Sequence, residues 1–344
     1  MPGKGLFMEH YIAIDNVCAW PNLTLLPDGT IAAVIYNQPH HAGWEGDVDC
    51  WISEDSGCRW KFRSTVARHE PTTNRMNVAA GLVHDGSFIV IASGWSHRVP
   101  PGGIVTDEYC GKGKILPPVV CRSYDNGNSW ITDGKVENQD GLPYLVPFGD
   151  IVRLPGGVAG ASFYWEDTSF LFQSADNGKT WTKLSEIGKN CNETALLALE
   201  DGQILAAART RDGAVDFFSS PDAGKSWQRC GRITQEGQHP AHILHLADGS
   251  ILLQYGVRNY GYWGVACRVS RDNGKTWSWP FRLLHLEEGN FDCGYPSSIQ
   301  SADGTIITAY YAATSRWHKR YHMGVIRWRM KEKYLAEWYG EKDG

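Results

Sequence analysis

Residues 174–181 read Ser-Ala-Asp-Asn-Gly-Lys-Thr-Trp, and the pattern Ser-x-Asp-x-Gly-x-x-Trp occurs five times along the chain. We call these copies boxes, and they lie at 53–60, 123–130, 174–181, 220–227 and 270–277. The Asp can accept backbone N–H bonds in a turn, the Gly tolerates a positive φ, and the Trp ring can wedge between neighbouring sheets. The boxes therefore predict structural turns on the outer rim of a repeated β-structure, with the chemistry located elsewhere.

A second pattern, usually an apolar residue followed by x-Asp-Gly and a β-rich run, interleaves with the boxes. Its Asp residues, or Gly156 in one degenerate copy, stand at 28, 85, 156, 201, 248 and 303. The spacing of about 45 to 70 residues suits one four-stranded blade per repeat. We therefore predict an all-β fold, a six-bladed β-propeller of four-stranded antiparallel blades.

The sixth blade lacks a box, so we expect the N-terminal segment around Tyr11 to Ile14 to complete it, because closure removes exposed sheet edges. No linker or change of composition divides the chain, and we expect one domain over residues 1–344. The longest helix candidate is the segment 330–338.

Composition limits the classes of function. The 344 residues carry a net charge of −5, with acidic and basic residues interspersed, which argues against a nucleic-acid surface. No apolar stretch approaches the roughly 20 residues of a membrane helix, and the first residues do not form a signal peptide. We expect a protein that does not enter membranes, either cytoplasmic or the mature form of a secreted or periplasmic protein. The nine cysteines lack paired C-x-x-C spacing, so we expect no metal and no cofactor.

The start of each innermost propeller strand should point into a common funnel. Counting eight residues back from each anchor gives one residue per blade: Trp20, Asn77, Phe148, Glu193, Pro240 and Tyr295. A phenol is a poor nucleophile unless a neighbouring carboxylate takes its proton. Glu193 and Tyr295 are therefore the candidate catalytic pair, the alternative being a hydrogen-bonded pair in the core.

Two arginines, Arg209 and Arg258, follow the inner hairpins of the fourth and fifth blades at similar depth. Two guanidinium groups facing one cavity suit a carboxylate ligand, although surface ion pairs with Asp212 or Asp272 are the alternative. Further candidates for substrate binding are Arg75, Asn77, His239 and Trp20. Tryptophans that could stack on sugars at the rim, or pack between blades, are Trp44, Trp95, Trp165 and Trp263.

Over essentially its whole length the chain resembles the sialidase superfamily. Asn192-Glu193, followed by residues 199–202 and Arg209, is similar to the family segment that carries the catalytic glutamate and the second arginine of a triad. Arg258 is similar to the third arginine and Tyr295 to the nucleophilic tyrosine. The resemblance implies that Tyr295 attacks the anomeric carbon with Glu193 as its base, while the arginines bind the substrate carboxylate.

The chain departs from the family pattern in two places. Ala19-Trp20-Pro21 stands where the family has Arg-Ile-Pro, so the first arginine of the triad is absent, and Arg75 is its candidate replacement. No residue of the loop 38–49 cleanly matches the family's general-acid aspartate. The candidates that this loop offers are His41, Glu45, Asp47 and Asp49.

These residues predict an exo-acting glycoside hydrolase that releases a terminal acidic sugar, a sialic or ulosonic acid or a related sugar. One alternative is a lyase- or rhamnosidase-type propeller that acts beside a uronic acid with a histidine as acid or base. Another is a glycan-binding propeller without catalysis, since a fold alone does not fix chemistry. In each case the expected partner is a glycan or glycoside with an acidic sugar, and the oligomeric state is left open.

Overall fold

The computed structural model describes residues 8–41, 45–96 and 115–330, which form 24 β-strands and one 3₁₀ turn at Pro155–Gly157. The first twelve strands are β1 (Met8–Asp15), β2 (Cys18–Leu25), β3 (Ile31–Tyr36), β4 (Val48–Ser53), β5 (Lys61–Ala67), β6 (Asn77–Leu82), β7 (Phe88–Ser93), β8 (Val119–Ser123), β9 (Ile131–Val136), β10 (Val146–Leu154), β11 (Val158–Trp165) and β12 (Thr168–Ser174). The other twelve are β13 (Thr180–Lys189), β14 (Cys191–Ala198), β15 (Ile204–Thr210), β16 (Val215–Ser220), β17 (Gln228–Arg232), β18 (Gln238–His245), β19 (Ile251–Val257), β20 (Gly264–Ser270), β21 (Phe281–His285), β22 (Cys293–Gln300), β23 (Ile306–Ala312) and β24 (His322–Trp328).

Four of the sheets contain four antiparallel strands each. Three of them are runs of consecutive strands, namely β2–β5, β14–β17 and β18–β21. In the fourth, β22–β24 are completed by β1, which pairs with β24 so that Tyr11 lies opposite Val325. The prediction that the N-terminal segment completes the last sheet is confirmed.

The prediction of six separate sheets is wrong in one region, because β6–β13 form one closed eight-stranded sheet. It consists of two antiparallel runs, β6–β9 and β10–β13, joined by short parallel pairings of β6 with β10 and of β9 with β13. The inner strands can pair because Gly81 has no side chain: a Cβ there would lie 2.6 Å from the Ile151 carbonyl oxygen. The fold is therefore a propeller-like arrangement of four four-stranded sheets and one eight-stranded sheet.

Both sequence repeats are turns with fixed places in this arrangement. The Asp-Gly turns join the first and second strands of each run, and the boxes join the third and fourth. In the box 174–181, Ser174 Oγ donates to Asp176 at 2.7 Å, and Asp176 accepts the backbone N–H of Thr180 at 2.8 Å. Gly178 adopts a φ of 82° and donates its N–H to Ser174 Oγ. The turn prediction for the boxes is confirmed.

Each box also contacts the preceding run of strands. The Trp130 indole N–H donates to Ser64 on β5 at 2.9 Å, and that of Trp227 donates to Ser185 on β13 at 3.0 Å. The Gly57 backbone in the first box lies against Ile307 on β23, so the first and last sheets are in contact as well. Continuous apolar clusters fill these junctions, including the one between the last and first sheets. The sheets therefore follow one another around a ring.

Two further expectations concern helices, namely the candidate helix near the C-terminus and the absence of a membrane-spanning helix. The helix candidate at 330–338 lies, apart from Met330, outside the described residues. Within the described ranges, no helix has the length and apolarity needed to cross a bilayer.

Among the box tryptophans, Trp181 should contribute most to stability, because the other four are partly exposed. Trp181 is fully buried, whereas Trp279 is 74% exposed. We expect Trp181→Ala to lower the free energy of unfolding by about 3–5 kcal/mol, because it leaves a large cavity between β6–β9 and β10–β13. Trp279→Ala, the matched control, should change it by less than about 0.5 kcal/mol. Urea unfolding checks both values, and equal losses would contradict the assigned packing.

Candidate active site

The inner strands of the successive runs begin around one narrow cavity of about 30 Å³. Five of the six residues that the eight-residue count predicts line it: Trp20, Asn77, Phe148, Pro240 and Tyr295. The sixth, Glu193, is hydrogen-bonded to Tyr295. The structure thus brings together residues that lie up to 275 positions apart in the sequence, from Trp20 to Tyr295.

Tyr295 and Glu193 form the centre of the site. The Tyr295 hydroxyl donates to Glu193 Oε1 at 2.5 Å, and Arg209 Nη1 donates to Glu193 Oε2 at 2.8 Å. Only 5% of Tyr295 is exposed. Burial, and then the charge of Glu193, raise the pKa of the Tyr295 phenol far above its ordinary value, while Arg209 and Arg258 oppose this change. The phenol therefore keeps its proton and directs it at a carboxylate that can accept it.

Arg258 approaches the same tyrosine from its face. Its guanidinium carbon lies 5.1 Å from the centre of the Tyr295 ring, a cation–π contact, and its Nε donates to the Cys293 carbonyl at 3.2 Å. Nη2 reaches the Tyr311 hydroxyl at 3.4 Å. The alternative partners are otherwise engaged: Asp212 pairs with Arg232, and Asp272 accepts hydrogen bonds within its box. Both predicted arginines thus face the site.

His239, which was also predicted beside the funnel, has a pKa that is shifted by its surroundings. It is 7% exposed, and burial, followed by the charges of Arg209 and Arg258, lowers the pKa of His239 to about 2. Its ring is therefore neutral at ordinary pH, and its Nδ1 is buried with no hydrogen-bond partner among the described residues. Burial is the main cause, and the two guanidinium charges add to it, which fits a site that could bind an anionic ligand.

Trp20 and Asn77 form part of the cavity wall. The Trp20 ring lies 5.4 Å from the Tyr295 ring and 5.9 Å from Trp95. It fills the place where the family pattern has an arginine. Asn77 Oδ1 and Trp20 Nε1 are both buried and have no hydrogen-bond partner among the described residues. Aromatic rings thus form much of the wall around Tyr295.

A carboxylate that the sequence analysis missed, Asp292, lies beside His41. The two are 3.1 Å apart, from His41 Nδ1 to Asp292 Oδ1, and the His41 ring meets Trp20 edge-on at 5.3 Å. Tyr311 donates to Asp292 at 2.5 Å, and Tyr321 also donates to it. Although burial opposes it, the His41 contact and these hydroxyls lower the pKa of Asp292 to about 2. The sequence could have pointed to Asp292, because it stands three residues before Tyr295 and immediately before β22.

The other candidates of the loop 38–49 have different partners. Asp47 accepts the His69 backbone N–H at 2.7 Å and lies 2.6 Å from His69 Nδ1. Glu45 also contacts His69, at 3.4 Å. Asp49 is buried and accepts a hydrogen bond from Asn37 at 3.1 Å. Among these candidates, only His41 has a described contact with a residue of the cavity.

Arg75 does not replace the missing arginine in this arrangement. Its Nη1 donates to the Pro117 carbonyl at 2.9 Å, and its side chain lines a cleft beside β5 and β8. The direction of the side chain, outward between the sheets, could not be read from its position in the chain. Of the proposed rim tryptophans, Trp95 packs on Trp20, Trp263 contacts Tyr260, and Trp44 lies outside the described residues.

Deeper in the cavity, a polar layer lies two residues further along the inner strands. Asn22 Nδ2 donates to Asp150 at 2.8 Å, and His242 Nε2 lies 3.0 Å from the other oxygen of that carboxylate. Asn22 and His242 both line the cavity. The described residues hold no cluster of three or more His, Cys, Asp or Glu side chains that could bind a metal ion.

Comparison with known proteins agrees with this fold. The family model described as a BNR repeat-like domain matches residues 112–308. No curated protein matches the chain. A Dyadobacter fermentans protein of unknown function has a similar structure, with a TM-score of 0.76 and 20% identity over 96% of this chain and 100% of that one.

Two enzymes have similar structures at lower identity. The Hadza microbial sialidase Hz136 gives a TM-score of 0.69 at 18% identity over 91% of this chain, which spans 65% of that protein. The intramolecular trans-sialidase from Ruminococcus gnavus gives 0.67 at 13% identity, over 91% of this chain and 94% of that one. Such identities establish a shared fold and no activity. Since the family model matches residues 112–308, more than half of the chain, the chain belongs to the BNR repeat-like domain family.

Proposed function

We propose that the protein is a glycoside hydrolase that releases a terminal acidic sugar, with Tyr295 as nucleophile and Glu193 as its base. The observation that carries the proposal is the 2.5 Å hydrogen bond from the buried Tyr295 hydroxyl, which lines the cavity, to Glu193. A purely structural pair would not require two cations on the phenol, with Arg209 at its hydroxyl and Arg258 over its ring.

The reaction would proceed in two steps. The Tyr295 oxygen attacks the anomeric carbon while its proton passes to Glu193, and the bond to the leaving group breaks to give a glycosyl-tyrosine. A water molecule then replaces the tyrosine, and Glu193 returns the proton to the phenolate oxygen. A neutral phenol suits a sugar whose anomeric carbon carries a carboxylate, because an Asp or Glu nucleophile would repel that group.

Arg209 and Arg258 would bind the substrate carboxylate. Arg209 gives one nitrogen to Glu193, and Arg258 is oriented by the Cys293 carbonyl, so each has further N–H groups for a ligand. The neutral His239 supports this role, because the charges of both arginines add to the effect of burial in lowering its pKa, so both cations act on the same region of the site. The partner that we propose is therefore a glycan or glycoside ending in a sialic, ulosonic or related acid.

We also propose that β6–β9 and β10–β13 act as two blades, so that six four-stranded units surround the site. The parallel pairings between them cover only two residues on each side. The two units would each supply one inner strand to the cavity, as the four separate sheets do.

The contact of His41 with Asp292 favours a second candidate, a lyase acting beside a uronic acid. In that reaction His41 would take or give a proton, and the arginines would neutralise the uronate. The product would be an unsaturated uronate that absorbs in the ultraviolet, so the two candidates differ in their products.

Replacement of Tyr295 tests the proposal. We expect turnover of an aryl glycoside of sialic or another ulosonic acid, and a loss of at least about 10³-fold in kcat for Tyr295→Phe, because the variant has no nucleophilic oxygen. Glu193→Gln should lose about 10²- to 10⁴-fold, because it cannot accept the proton. Initial rates should be measured on a panel that includes uronic acids and rhamnose.

The matched control is Tyr310→Phe, which removes a hydroxyl from another fully buried tyrosine of the last sheet and should retain activity. Turnover that survives Tyr295→Phe would exclude the tyrosine mechanism. Glycan binding without turnover on any substrate would favour the non-catalytic alternative, and an ultraviolet-absorbing product would favour the lyase.

The burial of neutral His239 predicts a pH dependence of stability. Its pKa is lowered in the folded state, so the unfolded chain binds the extra proton, and stability is lost as the pH falls below about 6.5. Between pH 7 and pH 5 this histidine should cost about 2 kcal/mol. His239→Asn should lose that much less stability over the same interval, whereas the exposed His245→Asn should follow the parent protein. Urea unfolding at both pH values measures the difference, and parallel losses would show that His239 is not buried between the arginines.

A further inference from the structure

We propose that His41 is the proton donor to the leaving group and that Asp292 is the residue that positions it. This inference rests on the proposed function and deepens it, because the family position for a general-acid aspartate, the loop 38–49, contains no matching residue. The pair takes that role with an imidazole in place of a carboxylic acid.

The first support is the way Asp292 is held. One oxygen accepts from Tyr311 and lies 3.1 Å from His41 Nδ1, while the other accepts from Tyr321. The Asp292 backbone N–H is bonded to Asn290 Oδ1 at 2.9 Å. A carboxylate fixed by two phenols and its own backbone is a rigid platform for the ring that it faces.

The second support is the difference in exposure within the pair. The Asp292 side chain is 13% exposed and the His41 side chain 39% exposed. Because Nδ1 faces the carboxylate, Nε2 is the nitrogen that can reach a ligand, the arrangement by which a buried aspartate orients a catalytic histidine. The His41 ring abuts Trp20, which in turn packs on Tyr295, so the donor stands one side chain away from the nucleophile.

The surrounding groups keep Asp292 anionic. The titratable and charged groups that act on it from the packed strands and loops are His41, Tyr311, Tyr321, Cys18, Cys293 and, through Tyr311, Arg258. Burial raises the pKa of the Tyr311 phenol and of the Cys18 and Cys293 thiols, so these groups stay neutral at ordinary pH. An anionic Asp292 can accept the Nδ1–H of the imidazole, which leaves Nε2 free to face a ligand.

The proton balance closes over both steps. As the glycosidic bond breaks, its electron pair passes to the leaving oxygen, which takes the proton from His41 Nε2. The neutral imidazole then accepts a proton from the incoming water, whose oxygen bonds to the anomeric carbon and displaces Tyr295. His41 is thereby protonated again, and the net change is hydrolysis of one glycosidic bond.

A series of leaving groups tests the donor, because a poor leaving group needs a proton and an activated one does not. We expect His41→Gln to reduce kcat/KM by less than about 10-fold on a 4-nitrophenyl glycoside, and by about 10²- to 10⁴-fold on the alkyl glycoside of the same sugar. Asp292→Asn should give the same pattern with smaller losses, seen in kcat rather than in KM, because the amide fills the same space but orients the imidazole less firmly than the carboxylate does.

The matched control is His318→Gln, which breaks another histidine–aspartate contact, of 2.6 Å to Asp15, and should leave both rates unchanged. Thermal unfolding of each variant, and rescue of His41→Ala by added imidazole, separate lost chemistry from lost folding. Equal losses on both glycosides in His41→Gln, with Tyr295→Phe still inactive, would overturn the assignment of His41 while leaving the proposed function intact. Activity on neither glycoside in the parent protein would instead overturn the proposed function.

Discussion

The packing of each box turn against the preceding run of strands is the constraint on which the rest of the structure depends. The Asp and Ser side chains close the turn, and its Gly lets the backbone approach the neighbouring sheet, as Gly274 does against Phe217. An indole N–H or an aromatic edge completes several of these contacts. Because this junction recurs around the ring, the inner strands begin at one level and direct their first side chains at one axis.

The electrostatics of the site follow from the side chains that point at this axis. A buried phenol and a carboxylate face two guanidinium groups, and a neighbouring histidine is driven to its neutral form. Both guanidinium groups thus lie close to one buried phenol, and removing them from water costs free energy. A ligand with an anionic group would offset that cost.

Much of this could be predicted from the sequence, because turns and strand register are local properties. The boxes, the Asp-Gly turns and the convergence of Glu193 with Tyr295 all follow from counting residues. The eight-stranded sheet could not be predicted, since it depends on how closely two strands approach at Gly81. The outward course of Arg75 and the pairing of His41 with Asp292 between the first and last sheets could not be predicted either, because both are set by side-chain packing between segments distant in the sequence.

The completion of the last sheet by β1 has a consequence for biosynthesis. Of the described strands, β1 is the first to leave the ribosome and its partner β24 is the last. Until β24 is made, the backbone hydrogen-bonding groups of β1 lack their partner strand and are available to other chains. Binding of β1 by chaperones would therefore matter most before the last sheet is complete.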